Sequence, residues 1–284
     1  MKLNDVLVKT IQFFKDKKIE TARLDAELII AHALRIPRIQ LYVRHDSPLN
    51  ESEVNLCREY LKRRASGEPV AYIVEEKGFY GLTFKVRSGV LIPRPETEMI
   101  VDEVLNHVKK NPKDKIRVLD LGAGTGCIGL SILNSCACAE LVAIEKSSVA
   151  FSVLQENCEN LQMTSRANLI HQDVNEVDFS KLGEFDYIVS NPPYIDETDV
   201  EVEANVKKFE PAEALFAKDY GLECLKSWSQ ITIPLLKQNS LFLMEMGYKQ
   251  GPVMIKFFQD FSKIKNVEIL KDLSGLDRII KARS

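Results

Sequence analysis

Residues 116–126 read Ile-Arg-Val-Leu-Asp-Leu-Gly-Ala-Gly-Thr-Gly, an apolar stretch that passes directly into three closely spaced glycines. The apolar part predicts a buried strand, and the apolar run at 127–134 predicts a helix. Glycines between a strand and a helix let the backbone approach a ligand that lies beyond the carboxyl end of the strand. The segment therefore predicts an α/β fold with a ligand loop at 122–126.

Strands and helices alternate on the C-terminal side of this loop. Apolar runs predict strands at 116–121, 141–145, 167–171, 185–190 and 240–245, and helices at 127–134, 147–160, 222–237 and 248–260. Alternation at this spacing is typical of βαβ units, which build a mostly parallel sheet. Segments 266–271 and 277–283 predict two further strands near the end.

The first 66 residues have a helical pattern instead. A first helix is predicted from apolar positions at helical spacing, which are Leu3, Val6, Leu7, Thr10, Ile11 and Phe14. Thr21 is suited to cap a second helix, whose predicted inward residues are Leu24, Leu28, Ala31 and Leu34. Pro37 suits the first turn of a third helix, and Asn50 with Glu53 predicts a capping box that opens a fourth. These elements predict a small helical bundle.

A β-hairpin linker is predicted between the bundle and the α/β part. Segments 71–74, 78–86 and 90–92 are rich in aromatic and β-branched residues and are punctuated by glycine, a pattern typical of a hairpin. Prolines at 93 and 95 end this region, and 97–109 predicts a helix. The expected organisation is thus a bundle at 1–66, a linker at 67–95 and an α/β domain at 96–284.

The glycine loop alone leaves two cofactor classes open. Gly124, Gly126 and Gly129 satisfy the dinucleotide fingerprint, and Glu145 lies about 20 residues further on, where a ribose-binding acid is expected. A carboxylate has two acceptor oxygens and can bind both ribose hydroxyls. NAD and S-adenosylmethionine both remain possible at this point, and the alternative without a ligand is a tight strand–helix turn.

The tetrapeptide Asn191-Pro192-Pro193-Tyr194 follows the fourth strand, at the same edge of the sheet as the glycine loop. A conjugated nitrogen is a poor nucleophile, and accepting both of its N–H groups orients its lone pair towards a methyl donor. The Asn191 side-chain oxygen and the Pro192 carbonyl are suitable acceptors, because proline fixes the backbone. Tyr194 offers a face against which a planar amide or base can stack.

A proline-rich turn is the alternative interpretation of this tetrapeptide. Hydride transfer has no evident use for the four residues, so their combination with the glycine loop favours methyl transfer. A sulfonium methyl donor needs neither a metal ion nor a covalent enzyme nucleophile, and most of the rate comes from positioning. The four histidines show no metal-ligand spacing.

Adenine and glutamine are both planar nitrogen substrates for such a motif, and the rest of the chain separates them. Seven segments together resemble the release factor glutamine methyltransferase family, at 67–73, 79–82, 90–98, 191–195, 209–216, 244–248 and 271–278. The resemblance covers the chain from about residue 20 to 282. It implies a Rossmann-like S-adenosylmethionine-dependent methyltransferase domain with a small N-terminal helical bundle and a β-hairpin linker.

The resemblance also implies the substrate and the site. The substrate is the glutamine of the Gly-Gly-Gln motif in peptide chain release factors, methylated on N5, with S-adenosylhomocysteine as the second product. The cofactor-binding residues by position are Gly122, Ala123, Gly124, Thr125, Gly126, Glu145, Asp173, Val174 and Asn191. The glutamine-binding residues are Asn191, Pro192, Pro193 and Tyr194, of which Asn191, Pro192 and Tyr194 are catalytic. Val174 departs from the aromatic residue common at its position in the family.

Charged residues outside these motifs have two interpretations each. Arg94 is either an active-site guanidinium or one half of a linker salt bridge, and the second is favoured. Glu210 either lies near the site or supports the fold. The run 62–64 (Lys-Arg-Arg) is interpreted as a solvated helix face rather than a partner patch.

Composition and net charge limit the classes of function that the protein can have. With 284 residues, 45% hydrophobic and 28% charged, the chain is an ordinary globular protein. A net charge of −3 disfavours a dedicated nucleic-acid binder, and no apolar run is long enough to span a bilayer. We expect a cytoplasmic monomer whose bundle recognises release factors. Adenine-N6 methylation of nucleic acid and a non-enzymatic binding module are the alternative functions.

Overall fold

The computed structural model describes all 284 residues and divides them into two compact units. The first unit is Met1–Glu76 with Ala204–Phe209, and the second is Lys77–Glu203 with Glu210–Ser284. The α-helices are α1 (Leu3–Asp16), α2 (Ala22–Ala33), α3 (Gln40–Val43), α4 (Glu51–Ala65), α5 (Val70–Val74), α6 (Glu98–Lys110), α7 (Cys127–Ser135), α8 (Ser148–Asn160), α9 (Ala204–Phe209), α10 (Ala212–Leu215), α11 (Lys218–Gly221), α12 (Glu223–Thr232) and α13 (Gly251–Gln259). The strands are β1 (Glu76–Phe79), β2 (Leu82–Lys85), β3 (Ile116–Leu121), β4 (Ala139–Glu145), β5 (Ala167–His171), β6 (Phe185–Ser190), β7 (Ile195–Asp196), β8 (Phe216–Ala217), β9 (Leu236–Glu245), β10 (Asn266–Lys271) and β11 (Asp277–Arg283).

The first unit is helical, and its first and fourth helices follow the sequence pattern. The predicted face of α1 is buried, apart from the half-buried Ile11. The predicted capping box at the start of α4 is confirmed, since the Asn50 side chain accepts from the Glu53 N–H at 2.9 Å and the Glu53 carboxylate accepts from the Asn50 N–H at 2.8 Å. This exchange satisfies two backbone donors that the helix itself leaves without partners. The unit extends beyond the expected boundary at residue 66, because α5 and α9 belong to it.

The predicted buried face of α2 was right for Ala31 and wrong for Leu24, and its predicted cap was wrong. Ala31 is buried, Leu28 and Leu34 are partly buried, and Leu24 is 44% exposed, while the other buried apolar residues are Ala22, Ala26, Ile29, Ile30 and Ala33. Apolar residues occur on more than one side of this helix, so spacing alone allowed two faces, and packing against both α1 and α4 selects one of them. The Thr21 side chain makes no capping hydrogen bond. Asp25 instead pairs with Arg64 at 2.7 Å on the inner side.

The linker contains the predicted hairpin, but two of the three β-rich segments do not belong to it. Residues 70–74 form the helix α5, because Pro69 presets the first turn and Tyr72 and Ile73 are buried on one side. Segment 90–92 pairs with no strand. The hairpin at 78–86 is confirmed as β1 and β2, joined by Tyr80 and Gly81, which both have positive φ (49° and 74°). Such a two-residue turn matches the twist of the two strands.

A seven-stranded sheet forms the second unit, in the order β10-β11-β9-β6-β3-β4-β5. The neighbours among β9, β6, β3, β4 and β5 are parallel, and β11 is antiparallel to both β9 and β10. This confirms the predicted α/β class and the two extra strands. Alternate residues of the central strands enter two apolar clusters, one on each face, so the sheet is buried on both sides.

The predicted helix at 222–237 is too long at its C-terminal end. Helix α12 ends at Thr232, and a short 3₁₀ turn over Ile233–Leu235 leads directly into β9. Pro234 explains the early end, because proline has no N–H to continue a helix. None of the helices combines the length and the apolar character needed to cross a bilayer.

Parallel pairing places four chain segments at one edge of the sheet. Leu121 at the end of β3 is in register with Ile144 on β4 and Ser190 on β6, and Ser190 is in register with Met244 on β9. The residues that follow these positions therefore lie side by side beyond the carboxyl ends of the strands, where doubly wound sheets bind ligands.

Candidate active site

The glycine loop after β3 adopts a backbone that only glycine takes readily. Gly122, Gly124 and Gly126 all have positive φ, at 64°, 59° and 81°. A Cβ on Gly122 would lie 2.8 Å from the Trp228 ring, whereas the position of a Cβ on Gly124 is open, with no atom within 4 Å. Gly122 thus permits close packing, and Gly124 leaves bare backbone facing an open space.

Glu145, the last residue of β4, holds this loop in place. Its Oε2 accepts a hydrogen bond from the Gly124 N–H and its Oε1 from the Ser147 N–H, both at 2.8 Å. The residue is 8% exposed, and burial raises the pKa of its carboxyl group. Each carboxylate oxygen retains a second acceptor position, so the group can still accept hydrogen bonds from a ligand diol.

Asp120 is a second buried carboxyl group beside the loop. Its Oδ2 accepts from the Gly129 N–H at 3.0 Å, while its buried Oδ1 has no hydrogen-bond partner. Burial, with a smaller contribution from the negative charge of Glu145, raises the pKa of Asp120 from the ordinary 3.8 to about 7. The protonated form is therefore favoured by the folded protein.

Replacing Asp120 with asparagine is expected to change how stability depends on pH. As the pH rises from about 4 to about 7, the unfolded chain loses the Asp120 proton before the folded protein does, so this group makes the free energy of unfolding fall. Across this pH range, the free energy of unfolding of the wild type should fall by at most about 4 kcal/mol relative to that of Asp120→Asn, because each pKa unit is worth about 1.4 kcal/mol. Urea unfolding of both proteins at several pH values measures this difference. A difference that does not change with pH would contradict the assignment.

A cavity of about 300 Å³ opens at this edge of the sheet. The predicted residues that line it are Gly122, Ala123, Gly124, Thr125, Glu145, Asp173, Val174, Asn191 and Pro193. Gly126, Pro192 and Tyr194 do not line it: Gly126 is the residue before α7, and Pro192 is buried. The volume is at the lower end of the range for small-molecule sites, and most of the predicted residues meet in one wall.

The Asn191 side chain has a defined orientation. Its Nδ2 donates to the Thr97 hydroxyl at 3.2 Å, and the Thr97 hydroxyl donates to Glu245 Oε2 at 2.5 Å. Because the Thr97 proton is used by Glu245, the Thr97 oxygen can only accept, and the nitrogen end of the Asn191 amide must face it. The Asn191 oxygen remains as the acceptor that the side chain can offer to a ligand.

Tyr194 lies behind this wall, where its hydroxyl donates to Glu245 Oε1 at 2.8 Å. Its carbonyl oxygen accepts from the Gln250 side-chain amide at 2.9 Å. Burial of the hydroxyl and the nearby negative charge of Glu245 raise the pKa of Tyr194. The phenol is therefore held in its neutral form with its proton directed at the carboxylate.

Asp173 and Val174 line the cavity from the segment that follows β5. The Asp173 carboxylate accepts from the Asn175 backbone N–H at 2.9 Å, which caps a short 3₁₀ turn, and Lys146 lies 3.8 Å from its other oxygen. Val174 is buried and presents an aliphatic surface in this turn. The wall is suited to a planar apolar group whose edge carries hydrogen-bond donors.

Arg94 and Glu210 form an ion pair at 2.5 Å, and Glu210 also accepts from the Ile92 N–H at 3.1 Å. Glu210 is 6% exposed, so the pair ties the segment after the hairpin to the start of α10. This geometry agrees with the salt-bridge interpretation of Arg94. The basic run at 62–64 is likewise partly structural, since Arg63 pairs with Glu68 at 2.5 Å.

Sequence reasoning missed several residues of the site, notably Thr97, Glu245, Trp228 and Cys224. Trp228 and Cys224 line the cavity from α12, and nothing in their local sequence marks them. The sequence did mark Glu245, because it ends an apolar strand as Glu145 does, and an acidic residue at that position lies at the ligand edge.

Two family models match the chain, one described as the PrmC N-terminal domain over residues 5–74 and one as the methyltransferase small domain over residues 98–224. Among solved structures, the fold resembles the T. thermophilus 16S rRNA methyltransferase RsmC in complex with AdoMet and guanosine, with a TM-score of 0.53, 20% identity and coverage of 74% of this chain and 49% of that one. It also resembles the N-terminal domain of human METTL16 in complex with SAH, with a TM-score of 0.52, 16% identity and coverage of 79% and 82%. The fold is that of an S-adenosylmethionine-dependent methyltransferase.

Curated relatives identify the family within this class. The chain is 34% identical to the release factor glutamine methyltransferase of Nitratidesulfovibrio vulgaris over 283 residues, which cover 99% of this chain and 95% of the relative. The release factor glutamine methyltransferase of Caulobacter vibrioides is 35% identical over 269 residues, with coverage of 94% and 91%. The chain belongs to the release factor glutamine methyltransferase family.

Proposed function

We propose that this protein methylates N5 of the glutamine in the Gly-Gly-Gln motif of peptide chain release factors, using S-adenosylmethionine. The observation that carries the proposal is the Asn191 side chain, whose nitrogen is committed to Thr97 and whose oxygen is left as an acceptor. The NH2 end of a primary amide substrate has two N–H groups to donate, and the Asn191 oxygen is an acceptor that can take one of them. The names of the relatives support the same substrate.

The residues around the cavity have separate tasks in this reaction. Gly122 to Thr125 and Glu145 would hold the methionine and ribose parts of the cofactor, and Asp173 and Val174 would hold the adenine. S-Adenosylmethionine supplies a methyl group on a sulfonium, which is already activated for displacement. Binding of a glutamine N–H group by the Asn191 oxygen would orient the nitrogen lone pair for in-line attack. The Pro192 carbonyl is the second acceptor that the sequence predicts, although Pro192 does not line the cavity.

The methyl-transfer step balances in protons and charge without any further group from the protein. The amide nitrogen forms the new bond to the methyl carbon, the carbon–sulfur bond breaks, and its electron pair stays on sulfur. The methylated nitrogen then carries an acidic proton that passes to water. Neither a metal ion nor a strong general base is required, and positioning supplies the rate.

A labelling assay tests the proposal directly. The full-length protein is incubated with methyl-labelled S-adenosylmethionine and, separately, with purified release factor, ribosomes and DNA. We expect label in the release factor and none in a release factor whose Gly-Gly-Gln glutamine is replaced by alanine. Label in DNA alone would overturn the proposal and favour adenine-N6 methylation, which uses the same tetrapeptide motif.

We also propose that the helical unit recognises the body of the release factor, in the cytoplasm and as a monomer. Helix α3 and the residue before it expose three apolar side chains, with Ile39 at 65%, Tyr42 at 45% and Val43 at 67%. Adjacent exposed apolar residues are often part of a protein-binding surface. The unit carries none of the cavity residues, so its contribution would be remote binding energy.

A charge on this surface is expected to weaken use of the intact factor. Val43→Glu should lower kcat/KM for the intact release factor by about tenfold, because burying a carboxylate in an apolar contact is unfavourable. A short peptide with the Gly-Gly-Gln motif should be methylated at the wild-type rate. Val8→Glu, at a valine that is 55% exposed on α1, is the matched control and should behave as wild type on both substrates. If Val43→Glu methylates the intact factor with wild-type kinetics, α3 does not contact the release factor.

A further inference from the structure

Glu245 is a buried carboxylate beside the amide-binding motif. It is the last residue of β9 and is 1% exposed. Strand β9 is parallel to β6 with Ser190 opposite Met244, so Glu245 and Asn191 follow matched positions on neighbouring strands. Burying a carboxylate this deeply is unfavourable unless both of its oxygens accept hydrogen bonds.

Two hydroxyl groups from different parts of the chain satisfy the two oxygens. Thr97, before α6, donates to Oε2 at 2.5 Å, and Tyr194, after β6, donates to Oε1 at 2.8 Å. Burial raises the pKa of Glu245, while these two hydrogen bonds and the charge of Arg278 act in the opposite direction. Each hydroxyl has one proton, and the carboxylate uses both.

The direction of these bonds determines which end of the Asn191 amide faces Thr97. A threonine hydroxyl that donates to Glu245 can only accept from Asn191, and Asn191 Nδ2 lies 3.2 Å from it. If the acceptor at 245 were lost, the Thr97 hydroxyl could donate to the Asn191 oxygen instead, and the amide would turn. The turned amide would present N–H groups to the NH2 end of the substrate amide, which can only donate.

We propose that Glu245 is a positioning residue for methyl transfer. It orients the Asn191 amide by way of the Thr97 hydroxyl, and it holds Tyr194 by accepting a hydrogen bond from the phenol hydroxyl. The inference rests on the proposed function for the identity of the substrate. Glu245 does not line the cavity and acts only through its two neighbours. Its effect is to fix the acceptor before the substrate arrives, which is how preorganised polar groups contribute to rate.

Kinetics of three variants test the path from Glu245 to Asn191. Thr97→Val removes the hydroxyl at nearly constant volume and should lower kcat on the release factor by about tenfold. Thr97→Ser keeps the hydroxyl and should stay close to wild type. Glu245→Gln, which replaces one acceptor by a donor, should lower kcat to a similar extent. In all three, KM and the cofactor dissociation constant should change little, since the defect concerns the reacting geometry.

A second measurement does not depend on activity. In protein labelled with [15N]asparagine, the Asn191 side-chain amide signal is assigned by its loss in Asn191→Ala. Its order parameter should be high in the wild type and in Thr97→Ser, and clearly lower in Thr97→Val and Glu245→Gln. If the wild type failed to methylate release factor, the proposed function would be wrong. The amide measurement would still decide whether Glu245 positions Asn191. An amide equally ordered in all four proteins, or wild-type kcat in Thr97→Val, would overturn the inference.

Discussion

Asn191→Ala is expected to lower turnover of the release factor by about a hundredfold to a thousandfold, the range found when one preorganised hydrogen-bonding group of an active site is removed. The alanine variant keeps the backbone after β6 but loses the only side-chain acceptor that the tetrapeptide offers to the glutamine amide. Affinity for S-adenosylmethionine should fall only modestly, because the glycine loop and Glu145 are unchanged. An interaction realised mainly in the transition state has this signature.

Turnover, KM and calorimetric cofactor affinity measured on the same preparation decide this prediction. Asn175→Ala is the matched control, because Asn175 lines the same cavity on the side of Asp173 and lies outside the tetrapeptide. The control should retain wild-type turnover. Loss of cofactor affinity in parallel with turnover in Asn191→Ala would place the residue in the cofactor site instead.

The positions of the ligand-binding segments were predictable because parallel strands place their carboxyl ends at one edge. The glycine loop, Glu145 and Asn191 each follow a recognisable apolar strand, and the structure brings them to one wall. Cofactor class was not decided by the loop, because glycine spacing reflects close backbone approach and not the chemistry of the ligand. The tetrapeptide after β6 supplied that information.

Thr97 and Glu245 were not predicted, because their relation exists only in the folded chain. They are 148 residues apart in sequence, and their hydrogen bond depends on how α6 begins beside the end of β9. Tertiary packing also decided which apolar stripe of α2 is buried and turned 70–74 into a helix. Local patterns allow more than one answer wherever apolar residues are dense or segments are short.

The second large effect is expected from Gly221→Ala, at the end of the short helix α11. Gly221 has a φ of 79°, and a Cβ there would lie 2.0 Å from the Tyr194 carbonyl oxygen and 2.7 Å from the Gln250 side-chain nitrogen. The neighbour is backbone and cannot rotate away, so the main chain at Tyr194 must shift, three residues after Asn191. A displacement of about 1 Å near reacting groups can cost about a hundredfold in rate, and we expect a loss of kcat of this order.

Gly275→Ala separates this collision from ordinary backbone strain. Gly275 has the same φ of 79°, but a Cβ there would have no atom within 4 Å, so its alanine variant carries only the left-handed penalty of about 1–2 kcal/mol. Thermal unfolding should show a comparable strain cost in both variants, with a further decrease in Gly221→Ala, while only Gly221→Ala should lose turnover. If Gly221→Ala does not fold, Gln250→Ala replaces it, since this change removes the hydrogen bonds to the Tyr194 and Tyr220 carbonyls without a clash and should lower kcat more mildly. Equal turnover in Gly221→Ala and Gly275→Ala would mean that the Tyr194 backbone tolerates displacement, and that the geometry of the tetrapeptide depends on its buried hydroxyl contacts rather than on the packing of α11.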